Sequence, residues 1–222
     1  MSAYRTILAK DLRVELRTLQ SVPAMGLFAL TTFVLFRFGL DRESLSGSLA
    51  AGVILATVLF AAILAINRLF VAERDEGGFD AIRLAPVDAT SLFAAKATAL
   101  VVYLAVLEAV ALPAFAFFFL DHWGGLPGVA GVLMLANLGL AATGVLVSAI
   151  GTNSRARDLL VPLLLLPLIV PVMIAAAGAA EPMLAAGGPS YEDTGRWLAI
   201  LALYDLVFAA IGYAVYDFLL ED

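Results

Sequence analysis

The sequence predicts an all-α integral membrane protein. It should have six transmembrane helices, an N-terminal interfacial amphipathic helix and a short cytoplasmic helix between spans 2 and 3. Three observations predict it. Of 222 residues, 63% are hydrophobic and the mean hydropathy is +1.00, whereas soluble domains hold about 45–50% apolar residues. Six apolar stretches approach the length that crosses the hydrocarbon of a bilayer. The basic residues gather in alternate loops rather than spreading evenly.

Residues 1–22 do not form a span. Leu8, Leu12, Leu16 and Leu19 fall on one stripe of a helix, with Lys10, Arg13 and Arg17 roughly opposite. This is the pattern of an amphipathic helix lying in the interface before the chain turns inward at Pro23. Glu15 sits close to the apolar stripe and needs a partner. The mixture of Arg, Lys, Asp and Glu here, with no small-residue cleavage site after the first apolar run, argues against a cleavable signal.

The spans are expected at 23–40, 49–66, 97–120, 126–150, 159–180 and 197–216, within one integral membrane domain covering 1–222. Arg37 near the end of the first is accommodated by snorkelling. Ten of the 13 Lys and Arg residues fall in the N-terminal segment, the loop between spans 2 and 3 and the loop between spans 4 and 5. Positive charge stays in the cytoplasm, so both termini are expected to face inward, in a bacterial-type inner membrane.

Composition also excludes chemistry. The chain has no Cys, hence no disulfide, thiolate metal site or covalent haem attachment. Its single His cannot form a His-based zinc site alone. No phosphate loop and no nucleophile elbow occur, and nothing suggests nucleic-acid binding. A transporter, a channel or a non-catalytic subunit of something larger is expected, not an enzyme, with no metal.

The loop from Asn67 to Lys96 breaks the apolar monotony with nine charged residues. Glu73, Arg74, Asp75 and Glu76 suit a helix N-terminus, where the dipole favours negative charge. Phe79, Ile82 and Arg83 follow at helical spacing, Pro86 stops the helix, and Lys96 is expected to anchor at the interface. Apolar anchors inside a charged rim suit a docking surface. Glu73, Arg74, Glu76, Phe79, Asp80, Ile82 and Arg83 are its candidate residues; the alternative is a solvated loop that merely follows the positive-inside rule.

The interfacial helix, six spans and an E-R-x-x-G-x-x-x-x-x-x-L-A-P loop resemble the permease subunit of an ABC-2-type ABC transporter. Over nearly the full length, K-D-L-R-V-E-L-R-T (10–18), N-R-L-F (67–70), E-R-D-E-G-G-F-D (73–80), L-A-P (84–86), P-L-L-L-L-P-L-I-V-P (162–171), Y-D-L-V-F (204–208) and D-F-L-L-E-D (217–222) are similar to the haem exporter protein B family (CcmB) of cytochrome c maturation. The resemblance implies a coupling helix in the 67–96 loop, seated on a separate ABC ATPase subunit. It implies further partners, namely haem-handling membrane subunits and a periplasmic haem chaperone. No cofactor would bind this chain directly: ATP sits on the partner subunit, and haem is handled by the complex. ATP hydrolysis would drive either haem delivery or release of the loaded chaperone.

Several polar groups fall inside the spans. Glu108, Asp205 and Asn137 are the intramembrane candidates, because a charge at a helix centre must face protein, pair or be neutralised. Each has a plain alternative as a contact between helices. Pro162, Pro167 and Pro171 lie in one span and predict a kinked or broken helix, either static or able to pass motion outward. His122 beside Trp123 fits an interfacial anchor better than a haem ligand. Two other functions fit the same features: an ABC-2 permease for another substrate, and an ion-gradient-driven secondary transporter using Glu108 and Asp205. A non-transporting assembly scaffold is a third.

Overall fold

The computed structural model describes residues 3–68, 88–151 and 157–221. Seven α-helices follow one another in these residues: α1 (Ala3–Thr18), α2 (Ser21–Gly39), α3 (Gly47–Arg68), α4 (Ala89–Phe119), α5 (Leu126–Gly151), α6 (Arg157–Ala180) and α7 (Thr194–Glu221). A 3-10 turn, Pro182–Leu184, follows α6. No strand occurs among the described residues. Six of the helices, α2 to α7, are long and apolar enough to cross a membrane. A lipid environment explains the all-helical choice: a helix satisfies its own backbone hydrogen bonds where water cannot.

α3 and α5 are the most enclosed helices, while α2 and α7 lie outermost with few buried residues. α5 packs against α4, α6 and α7; α2 packs against α3 and α4; α3 also touches α6. The outward faces are apolar as well, with Leu27, Phe38, Phe117, Leu163 and Leu206 all well exposed, as expected where the solvent is hydrocarbon. Close packing between helices then rests on fit and on a few polar contacts. Phe33 of α2 meets Phe115 and Phe119 of α4 at ring-centroid distances of 5.7 and 6.0 Å, a buried aromatic cluster near one end of the bundle.

Even spans bring the two chain ends to the same end of the bundle. Helix α1 packs on the N-terminal part of α4, and Gly212 of α7 lies against the Phe93 ring of α4. At that end Ser148 Oγ of α5 also donates to the Ile66 carbonyl of α3 at 3.1 Å. At the opposite end the Leu45 amide donates to the Phe119 carbonyl at 2.8 Å, tying the α2–α3 loop to the end of α4.

The structure adds detail to this outline. α4 begins at Ala89, eight residues before the apolar run that starts at Ala97. Asp88 supplies the reason: its side chain accepts from the Ser91 amide at 3.3 Å and from the hydroxyls of Thr90 and Ser91, a cap that starts the helix well before the apolar run. α6 is one continuous helix through Pro162, Pro167 and Pro171 rather than a broken one, because neighbouring helices can support the backbone groups that a proline frees. Of the Leu stripe of α1, only Leu8 and Leu12 pack on the core; Leu16 and Leu19 are exposed. The face that α1 buries is centred on Asp11 and Glu15 instead.

Candidate functional site

The residues expected to form the docking surface, Glu73, Arg74, Glu76, Phe79, Asp80, Ile82 and Arg83, lie outside the described residues. What the structure does place is the frame on either side of them. Arg68, the last residue of α3, donates through Nη1 to the Gln20 carbonyl at the α1–α2 corner, at 2.6 Å. Asp88 caps α4 on the other side; the Thr90 hydroxyl foremost, with Ser91, holds its carboxyl below the usual carboxylate range.

Helix α1 is fastened to this frame by polar contacts that the spacing of Leu residues did not reveal. Lys96 Nζ lies 3.0 Å from Asp11 Oδ2. Lys96 is 1% exposed and Asp11 8% exposed, so Lys96 is a buried ion-pair partner and not the interfacial anchor expected from sequence. Lys10 Nζ also reaches Asp11, at 3.1 Å from Oδ1. The Tyr103 hydroxyl donates to the Asp11 carbonyl at 3.1 Å, and the Tyr4 hydroxyl to Thr98 Oγ1 at 3.2 Å. Glu15 finds the partner its position demanded: Oε1 accepts the amides of Ser21 and Val22 at 2.8 Å each. Those are first-turn donors of α2, whose own N-cap, Gln20, makes no side-chain bond. A carboxylate there satisfies orphan amides and the helix dipole together.

The intramembrane candidates do not form one site. Glu108 of α4 and Asn137 of α5 meet: Asn137 Nδ2 donates to Glu108 Oε1 at 2.9 Å, with both side chains buried. Asn137 Oδ1 has no partner among the described residues. Asp205 lies on α7 against a different part of α5, where a Cβ on Gly139 would come within 2.6 Å of its Oδ1. The missing side chain there lets α7 approach. Neither Asp205 oxygen has a hydrogen-bond partner among the described residues, and both are enclosed.

Next to it, Tyr204 was not singled out by sequence. Its hydroxyl lies 3.0 Å from Thr143 Oγ1 of α5 and donates to the Leu168 carbonyl of α6 at 2.7 Å, joining three helices. Leu168 lies next to Pro167, whose carbonyl is the one that Pro171 leaves without an amide, so the Tyr204 bond falls in a turn that the prolines weaken. A Tyr among apolar neighbours in a span was the available signal, since a buried hydroxyl requires a partner.

At the opposite end His122 is exposed. It borders a hollow lined by Leu45, Asp121, Met183, Leu184 and Pro189, with a volume of about 20 Å³. That is room for one water. Arg37 turns its guanidinium to the carbonyls of Arg42 and Glu43 in the nearby loop, so its charge is met by backbone at the helix end.

Compared with family models, residues 2–216 match the one described as CcmB protein. Comparison with curated proteins finds no match. The matched residues run from the start of α1 into the last turns of α7 and take in the frame and the intramembrane contacts alike.

Proposed function

The chain belongs to the CcmB protein family, multi-pass membrane components of the haem exporter of cytochrome c maturation, and from that premise we propose that it is the non-catalytic permease subunit that receives the work of a separate ABC ATPase. In this reading the ATPase seats on Glu73, Arg74, Glu76, Phe79, Asp80, Ile82 and Arg83. ATP stays on that partner, and the helices carry its stroke across the membrane. The stroke serves delivery of haem, or release of the haem-loaded periplasmic chaperone. Haem-handling membrane subunits complete the complex, and this chain binds no cofactor itself.

The orientation proposed is that of an inner membrane with both termini in the cytoplasm. The clustering of Lys and Arg in the N-terminal segment and in the loops after α3 and α5 supports it. The single observation that carries the whole reading is the family match over residues 2–216. Reversing the charges of Arg74 and Arg83 together tests the docking surface. The ATPase should then detach from the purified complex or lose its coupling. Unchanged copurification together with unchanged ATP-dependent maturation would remove these residues from the interface.

A further inference from the structure

We propose that α1 and the N-terminal turns of α4 form one rigid unit, latched by Asp11 and Lys96, and that this pair is a positioning device for transmission of the ATPase stroke. The inference rests on the permease reading given above and goes beyond it, because it assigns a role to residues outside the docking surface.

Two charges removed from solvent lose hydration, and a well-packed apolar pair in their place is often at least as stable. A buried ion pair therefore explains little of a fold's stability, whereas it does fix which partner sits where. Lys96 and Asp11 are such a pair, at 3.0 Å. The contact also has length. Tyr103 stands two turns beyond Lys96 on α4 and holds the Asp11 carbonyl, and Tyr4 stands two turns before Asp11 on α1 and holds Thr98. Contacts two turns apart resist both sliding and rotation, which a single contact does not.

The same helix is tied to the other side of the frame. Arg68 closes α3 and grips the Gln20 carbonyl just after α1, and Glu15 of α1 holds the first amides of α2. The ends of α3 and α4, between which residues 69–87 are strung, are thus both fastened to one helix and the corner that follows it. A displacement applied between them moves α1 with α4 rather than parting the two.

Two measurements on the full complex test this. The first is the double variant Asp11→Asn with Lys96→Met, which removes both charges and leaves neither orphaned. The ATPase should copurify as in the unaltered complex while maturation of cytochrome c falls about tenfold, within the usual range of coupling between sites. Full maturation in that variant would overturn the proposal, since the pair would then be structural only. The second uses the absence of Cys from the chain. Tyr4→Cys with Thr98→Cys, bridged by a short bismaleimide, locks α1 to α4. Turnover of ATP by the reconstituted complex should match that of the unbridged variant. A loss on bridging would show that the helices part during the cycle and would overturn the rigid unit, whatever the double variant does. Absence of any ATPase from the unaltered complex is a different failure and sinks the permease reading itself.

Discussion

Asn137 of α5 donates its amide to Glu108 of α4 at 2.9 Å, with both side chains shut inside the bundle. One acid and one amide from different helices thereby fix the rotation of α4 against α5, where apolar surfaces alone would tolerate slippage. Hydrogen bonds between transmembrane helices contribute about 0.6 kcal/mol on average and up to about 1.7, so this contact sets register more than it supplies stability.

Glu108→Gln keeps an oxygen for the Asn137 amide and should leave thermal stability in detergent close to that of the unaltered chain. Asn137→Val removes the donor and should cost about 0.6–1.7 kcal/mol. Equal melting temperatures for the two variants would mean that the bond contributes nothing.

The α6–α7 contact depends on a missing side chain. A Cβ on Gly178 would fall 2.4 Å from the Trp197 ring, whereas one on Gly26 of α2 would meet nothing within 4 Å. Gly178→Ala should destabilise by about 1–3 kcal/mol through overpacking. Gly26→Ala should be neutral or stabilising by up to about 1 kcal/mol, the usual helix preference. Thermal unfolding of the two variants side by side gives the comparison.

The cap of α4 should respond to pH. The carboxyl of Asp88 is held below its usual range, chiefly by Thr90. A folded-state pKa below the unfolded one means that the group's contribution is present above the unfolded value and is lost as pH falls through the folded one. Protection of the Ser91 and Leu92 amides, relative to their intrinsic exchange rates, should therefore fall on acidification past the ordinary Asp range, and Asp88→Ala should leave it low and insensitive to pH in that range. Protection that stays constant across the range would contradict the capping role.

Asp205 separates the proposed function from an ion-driven one. Its enclosed oxygens have no partner among the described residues, which is the feature a secondary transporter would use. With an ATPase supplying the energy, Asp205→Asn should preserve cytochrome c maturation within about twofold, since intramembrane polar contacts are individually weak. Complete loss of maturation in an intact, ATPase-bound complex would favour ion coupling.

The spans were legible because length and apolarity alone define them, and lipid permits no other regular structure with open edges. Which faces meet was not legible. Helices apolar on every side, such as α4 and α5, carry no contrast to mark the inward face. The helix of α4 starts ahead of its apolar run, because Asp88, Thr90 and Ser91 carry a capping pattern that a count of apolar residues does not register.

Lys96 was read as an anchor because a Lys beside an apolar run ordinarily faces the interface. Its partner, Asp11, is far away in sequence. The spacing of Asp11 and Glu15, one helical turn apart, was the signal that α1 presents a polar stripe to something buried. Glu15 alone had drawn notice, and its true role as a cap for α2 required knowing where α2 begins. Tyr204 went unmarked because its two partners, Thr143 and Leu168, come from two other helices.

The most direct test of the central claim is affinity purification of the chain from native membranes in mild detergent, with mass spectrometry of its companions. The account predicts an ABC ATPase subunit together with a haem-handling membrane protein. Recovery without any ATPase, under conditions that preserve other ABC complexes, would contradict it.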